Sequence, residues 1–241
     1  MNMEVHAPSA SLSPYIKTYL FIESQSELLN RILPDTAPVM AFRYKGQVDY
    51  QTAHDRIALP SSIISGLRKS FRLVNYAPNT GNLLVIFKEL GAKVFIHEPL
   101  HELLDDSISL ADMTGYQDLS AFEERLAIAS TNIQRINLLE QFLLAKLTYS
   151  KPDLLIVTAL HKIHTAKGIL RIKELANSLY ISQDAFEKRF RRVVGISPKQ
   201  FCYIVRMKAS VNDGLKTNLL SELAFNAGYF DQAHFNKDFK L

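Results

Sequence analysis

Between Gln183 and Arg192 the sequence sets polar and basic side chains at helical spacing: Gln183, Asp184, Glu187, Lys188, Arg191 and Arg192, with Phe186 and Phe190 among them. The two phenylalanines, at i and i+4, share one face of a helix, which leaves the polar residues on the outer side. Those residue types suit one chemistry. Glutamine and asparagine pair with adenine edges, lysine and arginine with guanine, and a carboxylate accepts from cytosine, while clustered cations neutralise phosphates. Lys188, Arg189, Arg191 and Arg192 put four cations into five positions, and Lys199, Arg206 and Lys208 follow. An ordinary solvated helix face carries the same types, so a second observation is needed.

That observation is a repeat. Lys173-Glu174-Leu175-Ala176 matches Ser221-Glu222-Leu223-Ala224 at an offset of 48, and Phe186, Lys188, Phe190 and Arg191 match Phe235, Lys237, Phe239 and Lys240 at an offset of 49. In each copy a short helix with Glu-Leu-Ala precedes a tight turn, Tyr180-Ile181-Ser182 or Gly228-Tyr229-Phe230, and a second helix follows. A supporting helix, a turn and an exposed polar helix make the layout in which the second helix enters a major groove. The second copy offers Gln232, Ala233, Asn236 and Lys237 on the equivalent face. Leu175, Ala176, Leu223 and Ala224 are the expected buried partners of the phenylalanines.

A helical scaffold has to hold these faces, and residues 150–241 read as one domain built from it. The pattern predicts helices over Asp153–Ile163, Ile172–Leu179, Gln183–Val194, Pro198–Asp213, Leu220–Ala227 and Asp231–Phe239. Gly168, Gly195, Gly214 and Gly228 fall between or at their ends, Ser182 and Ser197 stand at N-cap positions, and Pro152 lies near a first helical turn. Residues 1–115 instead read as a β domain. Thr18–Ile22, Val39–Tyr44, Ile63–Ser65, Leu83–Phe87 and Lys93–Ile96 are short apolar runs divided by proline, glycine and asparagine. Residues 116–149 form a helical segment in which Leu119, Phe122 and Leu126, then Ile133, Ile136, Leu139, Phe142, Leu143 and Leu147, recur every three or four positions. Two uses of these stripes stay open at this point: a cover for the β core, or a dimer seam.

Composition sets the outer limits. The 241 residues are 47% hydrophobic and 22% charged, which excludes a disordered or collagen-like chain. The longest apolar run, Leu83–Phe87, is far short of the roughly 18–20 residues a spanning helix needs, and the first fourteen residues do not read as a signal peptide. A cytoplasmic protein is expected. Net charge is +4 overall, but residues 1–150 hold 13 Lys+Arg and 16 Asp+Glu while residues 151–241 hold 15 and 8, a division of −3 and +7 that aims the second domain at a polyanion. Cys202 stands alone, so no internal disulfide forms, and it is expected to be a small buried apolar group. His97 and His101 are separated by Pro99, which argues against a shared metal, and His161 and His164 read as solvated. Arg43, Arg68, Lys69 and Arg72 read chiefly as a strand edge, with an anionic effector as the sharper alternative. No nucleophile, phosphate-binding glycine loop or carboxylate pair stands out, so no catalytic residue, metal or cofactor is expected.

With those motifs in hand, residues 151–241 resemble the C-terminal domain of AraC/XylS-family transcription regulators. The resemblance runs through Ile172–Leu179, Ser182–Phe190, Gly195-Ile196-Ser197-Pro198 leading into Phe201, Ile204–Ala209, Ser221–Ala224, Gly228-Tyr229, Asp231-Gln232 and His234-Phe235. It implies an α+β two-domain protein: a cupin-like β barrel or sandwich with following helices, then an all-α domain of two helix-turn-helix units. The helix over Pro198–Asp213, about 24 Å long, would join the units across successive major grooves. Carried over by position, base-edge contacts fall to Asp184, Glu187 and Lys188, and to Gln232, Ala233 and Lys237. More loosely, Arg31-Ile32-Leu33-Pro34-Asp35, Leu59–Gly66 and His101–Asp106 resemble the regulatory domains associated with that family. The resemblance implies a sequence-specific regulator acting on promoter DNA, a homodimer that meets RNA polymerase, with a small-molecule effector on the N-terminal domain. The family continues past the second recognition helix with a further Gly-x-Ser-Pro and a short helix, whereas this sequence stops at Lys240-Leu241, so the expectation is either a trimmed or truncated product or a second unit without its closing support. The rival reading is a cupin-type metalloenzyme fused to a nucleic-acid-binding module.

Overall fold

A computed structural model describes residues 2–148 and 151–214, with side chains in the last helix described as far as residue 211. Close packing divides the chain into two units, one holding Met1–Lys151 and a helical one that begins at Pro152. The first contains β1 (Asn2–His6), β2 (Ile16–Ser24), β3 (Leu28–Ile32), β4 (Val39–Lys45), β5 (Val48–Gln51), β6 (Arg56–Ala58), β7 (Ser62–Ser65), β8 (Arg72–Tyr76), β9 (Thr80–Phe87) and β10 (Ser107–Ser109). They form two antiparallel sheets, of order β1-β2-β9-β4-β7-β10 and β3-β8-β5-β6. A mostly β domain followed by helices is therefore the observed plan.

Period-two alternation explains why there are two layers of core. On the central strands Tyr19, Phe21, Met40, Phe42, Ile64, Leu83, Val85 and Phe87 enter one buried cluster. Their chain neighbours Leu20, Ile22, Ala41, Ile63 and Leu84 belong to another, shared with Val48, Tyr50, Val74 and Tyr76 of the smaller sheet. Adjacent residues on a strand point to opposite faces, so the six-stranded sheet is apolar on both. The smaller sheet covers one face.

The other face is covered by α1 (Leu119–Ile128) and α2 (Asn132–Lys146). Leu119, Phe122, Leu126, Leu139, Phe142 and Leu143 all join the cluster that contains Phe42 and Val85. Of the two uses left open for these stripes, the structure shows the cover, and Ile133 at the start of the second stripe is left 66% exposed. Phe122 and Phe142 stack with centroids 4.1 Å apart, and Phe42 meets them edge-on at 5.3 and 6.3 Å. Polar ties fix the orientation: Ser61 and Ser62 donate to Glu123 of α1, and the Ser9 N–H and Tyr19 hydroxyl donate to Glu140 of α2. Thr131 and Gln134 close a capping box at the start of α2.

The expected strand over Lys93–Ile96 is not one. Gly91–Val94 is a 3-10 turn, and Val94, Phe95 and Ile96 are all buried in succession, which a half-exposed strand does not allow. The bend starts at Gly91, where a Cβ would lie 1.8 Å from the Tyr15 carbonyl oxygen, so only glycine permits that approach. His97 and His101 accordingly sit in a loop and in a second 3-10 turn, Leu100–Leu103. Strands β1, β3, β5, β6, β8 and β10 escape the sequence reading because they are short and interleave polar or charged residues with few apolar ones.

The helical unit comprises α3 (Leu154–Thr165), α4 (Ile172–Ser178), α5 (Gln183–Val194) and α6 (Pro198–Gly214). The expected bounds hold within one or two residues, except that Asp153, not Pro152, opens α3: its Oδ1 accepts the Ile156 N–H at 3.2 Å. Gly168 ends α3 at φ 75°, where a Cβ would lie 2.3 Å from the Cys202 carbonyl oxygen. Among the described residues no helix is long and apolar enough to cross a membrane.

Replacing Phe142 with alanine removes one ring of the stacked pair and should cost the first unit about 3–5 kcal/mol, seen as a lower urea midpoint at unchanged slope. An unchanged midpoint would show that the helices are not part of that core.

Candidate nucleic-acid interface

The turn between α4 and α5 is built by backbone hydrogen bonds. The Tyr180 N–H reaches the Asn177 carbonyl at 3.0 Å and the Ile181 N–H reaches Ala176 at 3.2 Å. This pairing is the Schellman motif, with Tyr180 in the left-handed position at φ 55°. Glycine or asparagine normally stands there, and Tyr180 is 99% exposed, so its ring gains no packing in return for the backbone cost. Ser182 then starts α5, its hydroxyl accepting from the Ala185 N–H at 3.4 Å.

One side of α5 is core. Phe186 and Phe190 are fully buried with ring centroids 5.6 Å apart, Phe201 of α6 meets Phe190 at 5.6 Å, and Leu175 and Ala176 of α4 are buried as expected. The opposite side carries Gln183, Asp184, Lys188, Arg191 and Arg192, all exposed, with Glu187 half-buried beside them. The structure therefore brings the six expected residues of the first repeat copy onto the solvent side of one helix. Two pairs run along that face: Gln183 donates to Glu187 at 2.8 Å, and Lys188 meets Asp184 at 2.9 Å. Both are one-turn contacts in water, easily exchanged for a ligand.

Arg189 departs from expectation. It was grouped with the phosphate-facing cations, but its Nε and Nη2 donate to the two oxygens of Asp153 at 2.7 and 2.9 Å. The guanidinium thus pins α5 to the first turn of α3, and the cluster available to a ligand is Lys188, Arg191 and Arg192. Burial pushes the Asp153 carboxyl up, but hydrogen bonds from Arg189 and from the Ile156 N–H outweigh it and hold the group below its ordinary range. The signal was in the sequence: an aspartate before a helix is a cap, and it has a second oxygen to give.

Cys202 is buried on α6, and burial pushes its thiol up to about 11, so it behaves as an apolar group. His161 is exposed, and His164 is exposed with its ring edge on Phe201 at 5.9 Å. Among the described residues no group of three or more His, Cys, Asp or Glu gathers to hold a metal. Arg43 is not a strand-edge cation: its Nε is buried, and its guanidinium donates to the carbonyls of Gly46 and Leu59. The second copy's Gln232, Ala233, Asn236 and Lys237 lie outside the described residues.

Comparison with known proteins places these elements. Residues 4–109 match a domain of unknown function (DUF6597), and residues 175–241 match a helix-turn-helix domain, a span that takes in the first copy of the repeat from Leu175 and the second copy. No curated protein matches the chain. Among solved structures it is similar to ToxT from Vibrio cholerae at 11% identity, covering 100% of this chain and 94% of that one with a TM-score of 0.46. The structure of unsaturated fatty acid bound wild-type ToxT from the same organism matches at 12% identity, with 99% and 90% covered and a TM-score of 0.45. The AraC-like transcriptional activator CuxR matches at 14% identity, with 87% and 86% covered and a TM-score of 0.30.

Two measurements probe this local design. Tyr180→Gly relieves the left-handed residue and should raise stability by about 0.5–1 kcal/mol, net of the freer unfolded chain, in a denaturant melt. Asp153 has a folded pKa below its unfolded one, so its contribution is present above the unfolded value and is lost as pH falls through the folded one. The stability gap between the native chain and Asp153→Asn should therefore narrow as pH falls from neutrality through the ordinary aspartate range and below it. A gap constant across that window would remove the ion pair from the account.

Proposed function

We propose that this chain is an AraC-type transcription regulator, its helix-turn-helix domain behind a mostly β domain, and that α5 lies in the major groove of an operator. There Asp184, Glu187 and Lys188 face base edges, and Arg191 and Arg192 face phosphates. The observation that carries this reading is the division of α5 into a phenylalanine face locked against α4 and α6 and an exposed polar face. A helix fixed on one side and chemically varied on the other can hold its donors and acceptors in register with base edges. The exposed Lys188–Asp184 and Gln183–Glu187 pairs are suited to exchange, since their partners in free protein are weak and screened. Gln232, Ala233, Asn236 and Lys237 take the corresponding roles in a second groove, supported by the helix-turn-helix match across residues 175–241.

In the same reading the β domain senses a small molecule, two copies pair on DNA, the regulator contacts RNA polymerase, and the protein works in the cytoplasm without a catalytic role. Support for sensing is a cavity of about 660 Å³ in the first unit, bordered by β5, β6 and β8. That volume lies within the range of small-molecule sites.

Selection from randomised duplexes gives the operator and the test together. Lys188→Ala should lower affinity for the selected site by about 1–3 kcal/mol, and Glu187→Ala should change the preferred base at one position. Arg192→Ala should instead weaken all duplexes alike and reduce the log–log salt slope by about 0.9. Equal, salt-insensitive affinity for selected and random DNA would defeat the reading.

A further inference from the structure

One end of the core between the two sheets is not apolar. Arg72 shares its strand face with Val74 and Tyr76, Tyr50 with Val48, and Ser65 with Ile63, so all three point into the space between the sheets. The hydroxyls of Ser65 and Ser107 are 2.7 Å apart, and both meet the Tyr50 hydroxyl, Ser65 at 3.4 Å and Ser107 more closely. The Arg72 guanidinium lies 4.5 Å over the Tyr50 ring and donates to the Asp105 carbonyl at 2.5 Å. Arg68 stands against the same phenol, and its buried Nε has no hydrogen-bond partner among the described residues.

Two guanidiniums act on the Tyr50 phenol. The phenols of buried Tyr19, Tyr76 and Tyr116 and of half-buried Tyr44 are all pushed up, chiefly by burial, and Tyr76 reaches about 12 in the same core. Burial acts on Tyr50 too, but hydrogen bonds from Ser107 and Ser65 and the fields of Arg68 and Arg72 pull it below its ordinary value. The nearby carboxylates are engaged in part: Asp105 meets Lys69 at 3.0 Å, Asp106 accepts the Ser107 N–H at 2.7 Å, and Asp35 adds a negative field on Arg68.

Tyr50, Arg72, Ser107 and Asp106 line the polar end of the 660 Å³ cavity, with one Asp106 oxygen taken up by the Ser107 N–H, and its other walls include Ile57, Leu59, Phe71 and Leu73. We propose that this cavity binds a small organic carboxylate, its charge beside Arg72 and the Tyr50 and Ser107 hydroxyls, with Arg68 adding its field through Tyr50, and its apolar body along Leu59, Phe71 and Leu73. A guanidinium and hydroxyls at one end of an apolar cleft suit an anion with a hydrocarbon body better than a compact, strongly hydrated dianion. The inference gives the sensing role of the β domain a site and a ligand class, and it rests on that role only for its effect on DNA.

The test uses the full chain, with benzoate and 4-phenylbutyrate as probes against benzamide, 4-phenylbutyramide and inorganic phosphate, read by titration calorimetry and thermal unfolding. The acids should bind and raise the unfolding midpoint while the amides do not. Arg72→Gln and Ser107→Ala should each weaken 4-phenylbutyrate about tenfold or more, and Lys17→Gln, distant in register on β2, should leave it unchanged. Circular dichroism of each variant separates lost binding from lost fold, and Phe71→Ala, which keeps the charges, should weaken 4-phenylbutyrate more than benzoate. Acids and amides binding alike, phosphate binding alone, or native affinity in folded Arg72→Gln would each overturn the site. If an acid binds through Arg72 but leaves operator affinity unchanged, the site stands and the sensing role falls. If no acid binds while operator binding is intact, the site falls and the DNA reading stands.

Discussion

The first unit depends on a sheet that is apolar on both faces. Each central strand sends consecutive residues, Tyr19 and Leu20 or Met40 and Ala41, into different cores, so no single layer can satisfy it. The smaller sheet and the α1–α2 pair are the two layers this requires. That is why the helices after residue 116 carry their largest rings, Phe122 and Phe142, toward Phe42. It also explains the uneven helix surfaces, since the residues that do not reach the sheet, such as Ile133, stay in solvent.

Seen from that constraint, the polar end of the inter-sheet core is expensive. Burying a guanidinium or a phenol hydroxyl costs free energy unless partners are supplied, and replacing Arg68, Arg72, Ser65 and Ser107 with aliphatic side chains would extend the core already formed by Val48, Val74 and Ile63. The hydroxyl cluster and the cation over the Tyr50 ring offset part of that cost, and the buried Nε of Arg68 shows that the offset is incomplete. A site kept at a loss to stability in an otherwise well-packed layer fits a ligand-binding role.

Legibility followed the strength of local pattern. The helices were readable nearly to the residue because Phe186, Phe190 and the Glu-Leu-Ala segment repeat at 3.6-residue spacing within short range, and the polar face of α5 followed directly from them. Long central strands such as β4 and β9 were readable from their continuous apolar runs between turn residues. Lys93–Ile96 was misread because an apolar run has the same composition whether it pairs as a strand or wraps onto a core from a 3-10 turn, and only the approach of Gly91 to Tyr15 decides. The Tyr50–Ser65–Ser107 cluster was illegible, because its members come from three strands separated by up to 57 residues. No local period marks a site assembled by strand pairing.

Charge count also proved a poorer guide than charge engagement. Residues 151–241 carry +7, yet the cations differ in what it takes to redirect them. Lys188 holds Asp184 through one contact with both side chains more than three-quarters exposed, so water and salt already compete for it. Arg189 holds Asp153 through two parallel bonds, and the carboxylate is only 17% exposed and also caps α3. Moving Arg189 to a phosphate would strip a partly buried carboxylate of its partner and loosen a helix start together, whereas moving Lys188 breaks nothing structural. Two cations one position apart in sequence therefore do opposite work: Arg189 sets where α5 stands, and Lys188 remains available to whatever α5 meets.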